Sequence, residues 1–165
     1  MSRTTTLGTI DQASFARFPS GVAAIAALGD GEPDAMVVSS FTVGASFDPP
    51  MVTFSARQQS STWARLREAP VIGVSVLGST HGALCRQLSS RTRSSRFVDV
   101  AHTVTSEGAV VIDGSPLQLE CVVHREVVAG DHVVVLLQVM SADTDRTVSP
   151  LVYHDTGFHS LQPIG

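Results

Sequence analysis

Leu117-Gln-Leu-Glu-Cys-Val-Val-His-Arg-Glu-Val-Val128 and His132-Val-Val-Val-Leu-Leu-Gln-Val-Met-Ser-Ala142 are joined by only Ala129-Gly-Asp131. Both runs are rich in β-branched residues, which suit a pleated, half-buried surface, and so short a link can only join antiparallel neighbours. Outward from this hairpin the chain repeats the theme. Gly21-Val-Ala-Ala-Ile-Ala-Ala-Leu28 is apolar throughout and ends in Gly-Asp-Gly, which predicts a buried strand and a hairpin loop. Ala35 to Phe47 reads as one strand, Asp48-Pro-Pro50 as a turn, and Met51 to Ala56 as the next strand. Val71 to Leu77 gives another strand, and Tyr153 to Ser160 a last short hairpin. The helices expected are short: Ile10 to Phe18, stopped by Pro19; Ser60 to Ala69, opened by capping hydroxyls and closed before Pro70; and Thr80 to Leu88. Ser89 to Arg96 reads as a Ser/Arg loop too polar to pack by itself. Many strands with few helices and no βαβ alternation point to a mainly β antiparallel barrel rather than a doubly wound sheet. The chain has no GxGxxG, no Walker A sequence and no internal repeat.

At 165 residues the chain fits one domain, with residues 1–9 a flexible polar N-terminus and residues 10–165 the folded unit. Apolar residues make up 43% and charged residues only 16%, a balance that suits a subunit hiding part of its surface in an oligomer. The net charge of −4 argues against a nucleic-acid partner. All eleven cationic residues are Arg. Cys85 and Cys121 lack CxxC spacing and read as buried, reduced thiols, which suits a cytoplasmic protein. No run approaches eighteen apolar residues and the first residues lack an apolar leader core, so a soluble protein without a membrane segment is expected.

Four motifs can carry chemistry. Ser39, Ser40, Thr42 and Ser46 interrupt an apolar run, and hydroxyls there either satisfy one another locally or face a ligand. Ser60-Ser61-Thr62 at a helix start is either an N-cap or a phosphate site built from N–H groups and hydroxyls. In Ser94-Ser95-Arg96-Phe97 the Arg can grip a phosphate in bidentate fashion, with Phe97 beside it to cover a planar ring; otherwise the segment is a solvated loop. Gly130-Asp131-His132 sits at the hairpin tip, where Gly and Asp serve the turn and His132 either opens the strand or serves a site. The histidines have no metal-ligand spacing, and no GxSxG supports a hydrolase.

Taken in order, Phe18-Pro-Ser-Gly-Val22, Ala35-Met-Val-Val-Ser-Ser-Phe-Thr42, Asp48-Pro-Pro50, Ser60-Ser-Thr-Trp63, Gly73-Val-Ser-Val-Leu77, Ser95-Arg-Phe97, Gly130-Asp-His132 and Pro150-Leu-Val-Tyr153 resemble the flavin reductase-like family. The resemblance runs from about Phe15 to Leu161. It implies an FMN-binding antiparallel Greek-key split β-barrel, and a homodimer. It also implies NAD(P)H-dependent reduction of FMN or FAD, with NADH or NADPH as hydride donor and a partner monooxygenase receiving the reduced flavin.

Position by position, the resemblance implies that Met36, Val37, Val38, Ser39, Ser40 and Phe41 line the isoalloxazine and ribityl chain. Ser60, Ser61 and Thr62 would meet the flavin phosphate, with Arg96 adding charge and Phe97 beside it. Ser75 stands where the family often has Asn, as a flavin contact, and Tyr153 neighbours the same pocket. His132 would sit by the nicotinamide as an orienting or electrostatic group. Flavin and nicotinamide carry the hydride chemistry themselves, so the protein's task is to hold the reacting atoms about 3–3.5 Å apart. Two other readings are a flavin-binding redox module with little turnover, and a split-barrel oxidoreductase acting directly on an organic substrate.

Overall fold

The computed structural model describes residues 11–165. The expected flexible segment 1–9, and Ile10 of the first expected helix, lie outside them.

In chain order the elements are α1 (Gln12–Phe15), β1 (Ser20–Gly21), β2 (Ala23–Gly29), β3 (Glu32–Val38), β4 (Thr42–Phe47), β5 (Pro50–Arg57), α2 (Ser61–Leu66), β6 (Ile72–Val76), α3 (Gly82–Leu88), β7 (His102–Val104), β8 (Val110–Ile112), β9 (Leu117–Ala129), β10 (His132–Thr144), β11 (Leu151–His154) and β12 (Gly157–Ser160). Seven strands form one sheet in the order β3-β2-β6-β9-β10-β5-β4, and every pairing in it is antiparallel. Two small sheets, β1-β11-β12 and β7-β8, pack beside it. The mainly β antiparallel architecture is therefore the one the sequence announced.

The β9–β10 hairpin is the spine. Its strands are thirteen residues each, and Ala129 pairs with His132 across Gly130-Asp131. Gly130 takes φ +60° at the first central position, a conformation that costs Gly nothing. Register shifts at Leu136/Leu137 and Val139/Ser141 bend the ribbon, as bulges do, and help the sheet curl.

The curl explains one correction. Ala35 to Phe47 is not a single strand: it breaks at Ser39 to Phe41 into β3 and β4. β3 pairs with β2 on one edge of the seven-stranded sheet, while β4 pairs with β5 on the other. The segment between them crosses the gap of the split barrel. Ser40 bridges that gap, its Oγ accepting from Ser55 N at 2.9 Å and facing Ser55 O at 3.3 Å.

Alternation along β5 buries Val52, Phe54 and Ala56 in the larger of two core clusters, with Ile25, Trp63, Leu66, Ile72, Val74, Val135 and Leu137. Phe54 and Trp63 meet edge to face at 5.0 Å. Each such large apolar side chain contributes about 1.5–3 kcal/mol on burial. A second cluster, with Ala24, Ala26, Leu77, Leu88, Val110 and Ile112, fills the space under α3 and β8.

β7 and β8 lie in residues 97–116, for which the sequence suggested no element. β8 crosses β6 so closely that a Cβ on Gly73 would collide with the Val110 carbonyl. The α1 expectation needs trimming too. Only four residues are helical, capped by Asp11, whose carboxylate accepts from Ser14 N at 3.0 Å. Phe15 and Phe18 are 72% and 76% exposed, so no apolar face is buried there to prolong the helix.

Candidate functional site

A cleft of about 670 Å³ opens along the split between β3 and β5. Met36, Val37, Val38, Ser39 and Ser40 line one side, Ser55, Ala56 and Arg57 the other, and Gln59 to Thr62 with His132 complete it. Its size suits a small-molecule site, about 300–1,000 Å³. Met36 to Val38 offer an apolar stretch of wall for a planar ring, while six hydroxyl side chains and only two ionisable groups, Arg57 and His132, supply polarity.

The Ser60 motif is first of all a cap. Ser60 Oγ accepts from Trp63 N at 3.1 Å and starts α2, which has only six residues. Thr62 is placed differently. Its Oγ1 accepts from Arg96 Nη1 at 3.1 Å and from Arg65 Nη2 at 3.4 Å. With both lone pairs taken by guanidinium donors, its own O–H is left to donate, and it lines the cleft. The hydroxyl is thereby set to meet an acceptor such as a phosphate oxygen.

Behind Thr62 stands a residue the sequence reading passed over. Asp34 is fully buried and gathers three guanidinium groups. Arg96 Nη1 donates to Asp34 Oδ1 at 2.8 Å, Arg65 Nε to Oδ2 at 3.0 Å, and Arg93 Nε lies 3.2 Å from Oδ2. Three cations on one carboxylate leave an excess of positive charge next to Thr62. Asp34 follows Gly-Asp-Gly-Glu-Pro and looks like one more hairpin acid. Only its neighbours across the fold reveal the burial.

Arg96 is correspondingly not a free phosphate hand. It is 8% exposed, absent from the cleft wall, and committed to Asp34, the Ala35 carbonyl (3.0 Å), the Ser90 carbonyl (2.9 Å) and Thr62. The Ser89 to Arg96 segment therefore packs, around a 3₁₀ turn at Arg93–Ser95, because Asp34 neutralises it.

Ser75 also departs from expectation. It is 1% exposed and its Oγ accepts from Ile112 N at 2.8 Å, latching β8 to β6 in the core, so it does not reach the cleft. Phe41 is packed on the core cluster rather than on the cleft wall. Phe97 stacks edge to face on His102 at 5.0 Å and lines a separate cavity with Arg93 and Ser94. Tyr153 lines two cavities that adjoin the cleft through Ser39 and Ser40, with Phe158 5.8 Å from its ring. Met36 to Ser40, Ser60 to Thr62 and His132 are thus brought together, Tyr153 next door, and Phe41, Ser75, Arg96 and Phe97 are not in the cleft wall.

His132 opens β10 directly opposite Arg57, the last residue of β5. Its Nδ1 lies 2.7 Å from Asp131 Oδ1. The hydrogen bond from His132 draws the Asp131 carboxyl below its ordinary range, with the charge of His132 adding to it. An ionised carboxylate only accepts, so Nδ1 carries the proton and Nε2 is the unengaged nitrogen. Gln58 ties this corner together, its N donating to Asp131 O at 3.1 Å and its Nε2 to Gly130 O at 2.6 Å. Ser55, Ala56, Arg57 and Gln59 are the wall residues the sequence reading missed. Alternation along β5 was the signal: with Val52, Phe54 and Ala56 buried, Ser55 and Arg57 must face the other way.

Among the described residues no helix is long and apolar enough to cross a membrane. Comparison with known proteins adds the following. The flavin reductase like domain matches residues 15–162. A flavin reductase of Pseudomonas putida is 28% identical over 93% of this chain and 89% of its own length. The Streptomyces globisporus C-1027 NADH:FAD oxidoreductase, solved with NAD and FAD fragments, superposes with TM-score 0.85 at 29% identity, over 92% of this chain and 91% of that one. The styrene monooxygenase flavin reductase of Pseudomonas putida S12 superposes with TM-score 0.83 at 27% identity, over 95% and 99% of the two chains.

Proposed function

The chain belongs to the flavin reductase-like family, and from that premise we infer that it moves a hydride from a reduced nicotinamide nucleotide to FMN or FAD and hands the reduced flavin to a monooxygenase component. The observation that carries the reading is the cleft at the barrel split, with an apolar wall at one side, a donor hydroxyl on Thr62 and a fixed imidazole on His132.

Nicotinamide and flavin supply the hydride donor and acceptor, so the protein needs no covalent step. Met36 to Val38 present an apolar face to the ring system, and Ser39 and Ser40 offer hydroxyls where the chain leaves β3. Thr62 donates to the flavin phosphate, with the buried Arg96 behind it lending positive potential at close range and the partly exposed, more screened Arg65 and Arg93 adding less. Arg96 acts in this account as the positioning residue of Thr62 and not as a direct phosphate ligand. His132, held by Asp131, orients the nicotinamide side of the site. Few fixed charges line the cleft, which suits a flavin that is released to a partner rather than retained.

The protein acts as a homodimer in this reading. Val43 and Phe47 on β4, Val128 at the hairpin tip and Met140 on β10 are 59–89% exposed, a cost that a second subunit removes. It works in the cytoplasm, where reduced nicotinamide nucleotide is kept.

Oxidation of NADH, followed at 340 nm with and without added FMN, FAD or riboflavin and with NADPH as the comparison arm, tests the proposal. Flavin-dependent turnover is expected with at least one pair. No oxidation with any pair would end the reading. His132→Ala is expected to lower turnover more than flavin affinity; the reverse would reassign His132 to the flavin.

A further inference from the structure

Arg57 is the one permanently charged side chain in the wall of the cleft. Its guanidinium has no hydrogen bond or ion pair among the described residues. The other arginines around the site are spent: Arg65, Arg93 and Arg96 on Asp34, and Arg67 on Glu126. Arg57 also pairs in register with His132, so the two side chains project from the same side of adjacent strands. The Gln58 bonds to Gly130 and Asp131 hold the end of β5 to the β9–β10 turn, so Arg57 and His132 are carried by one rigid corner. Asp131 lies near enough for the Arg57 charge to help lower its pKa, but its hydrogen bond goes to His132. The cation therefore stands in the cleft wall beside His132, unpaired among the described residues.

We propose that Arg57 binds the pyrophosphate of the nicotinamide dinucleotide and so sets the productive position of the donor. The inference rests on the reductase reading and extends it to a residue outside the sequence motifs that carry the resemblance. The chemistry divides the charges. The flavin phosphate has Thr62 and the cluster behind Asp34 at the α2 end. The donor brings two further phosphate charges to the His132 end, into a protein of net charge −4, and Arg57 is the fixed cation there. A planar guanidinium can span two oxygens of a pyrophosphate while leaving the imidazole of His132 beside the ring.

Donors with and without phosphate separate this role from a structural one. Riboflavin serves as acceptor, so that no flavin phosphate is present. Arg57→Ala is expected to raise the KM for NADH about 10- to 100-fold, the range of a lost charge-assisted hydrogen bond. N-benzyl-1,4-dihydronicotinamide, which has no phosphate, should be used by wild type and variant within about twofold. Arg57→Lys should recover part of the NADH affinity, because the charge returns without the fork. Equal losses with both donors would overturn the proposal, as would a variant whose defect appears in the KM for FMN but not for NADH. If wild-type protein oxidises neither donor with any flavin, it is the reductase reading that has failed. NADH binding followed by its fluorescence then still tests Arg57, since affinities of wild type and Arg57→Ala within twofold of each other would refute the contact without any turnover.

Discussion

Asp34→Asn should be the most damaging single change of charge in this protein. The carboxylate is fully buried and takes charge-assisted bonds from Arg96 at 2.8 Å and Arg65 at 3.0 Å, with Arg93 at 3.2 Å. Asn keeps the shape but loses the charge, and its amide NH₂ would point donors at donors. The three partners do not weigh equally. Arg65 and Arg93 have side chains about a third exposed and can turn to water, so their pairs are heavily screened. Arg96 cannot, with its side chain 10% exposed. Removing one partner of a buried pair costs about 3–5 kcal/mol. Arg96 keeps its bonds to the Ala35 and Ser90 carbonyls and to Thr62, which puts the loss near the low end, about 3 kcal/mol. In a domain of this size that corresponds to a fall in Tm of about 6–12 °C, readable by circular dichroism. Asp34→Leu with Arg96→Met removes both charges and should recover much of the stability, since an apolar pair of similar volume replaces a buried ion pair at little cost. A Tm for Asp34→Asn within about 2 °C of wild type would refute the reasoning. So would a double variant no more stable than the single one.

Other outcomes follow from the same structure. Ser75→Ala strands the buried Ile112 N–H and should cost about 1–3 kcal/mol while leaving the KM for flavin unchanged; a flavin defect without a stability loss would restore Ser75 to the site. His81 accepts from Gly78 N at 3.1 Å through Nδ1, which only a neutral ring can do, and burial holds its pKa below the ordinary 6.5, against a smaller upward pull from the Asp113 backbone. The folded state thus binds fewer protons than the unfolded one, so the contribution of His81 is complete above pH 6.5 and shrinks as pH falls towards its folded pKa. The stability gap between wild type and His81→Gln, measured by urea melts from pH 7.5 to 5, should narrow on acidification; a constant gap would refute the assignment. Burial pushes the Cys85 thiol up to about 11 and the Cys121 thiol up to about 12. Neither should react with a disulfide reagent at pH 8 until the protein is unfolded, and rapid labelling of the native protein would contradict their burial.

Local patterns carried a large part of the fold into view. The hairpin from Leu117 to Ala142, the apolar run ending at Leu28, and the Pro and Ser signals around residues 60–70 depend on neighbours within a few residues, so a linear reading reaches them. The same holds for Met36 to Ser40, Ser60 to Thr62 and His132, whose order along the chain resembled one family and which do line one cleft. Ser75 and Arg96 both proved to be engaged by internal partners, for a shared reason. A hydroxyl or a guanidinium in a strand or loop looks available until its partner is known, and their partners, Ile112 and Asp34, lie 37 and 62 residues away.

The sequence by itself determined that this chain is an antiparallel β protein with hydroxyl-rich segments, because side-chain alternation, turn chemistry and capping are properties of short segments. Tertiary structure alone decided that Ala35 to Phe47 leaves one edge of the sheet and joins the other, that Asp34 is buried under three arginines, and that Arg57 faces His132. Those facts follow from which strands pair and in what register, and pairing is a contest among distant segments for the same hydrogen bonds and the same apolar cover.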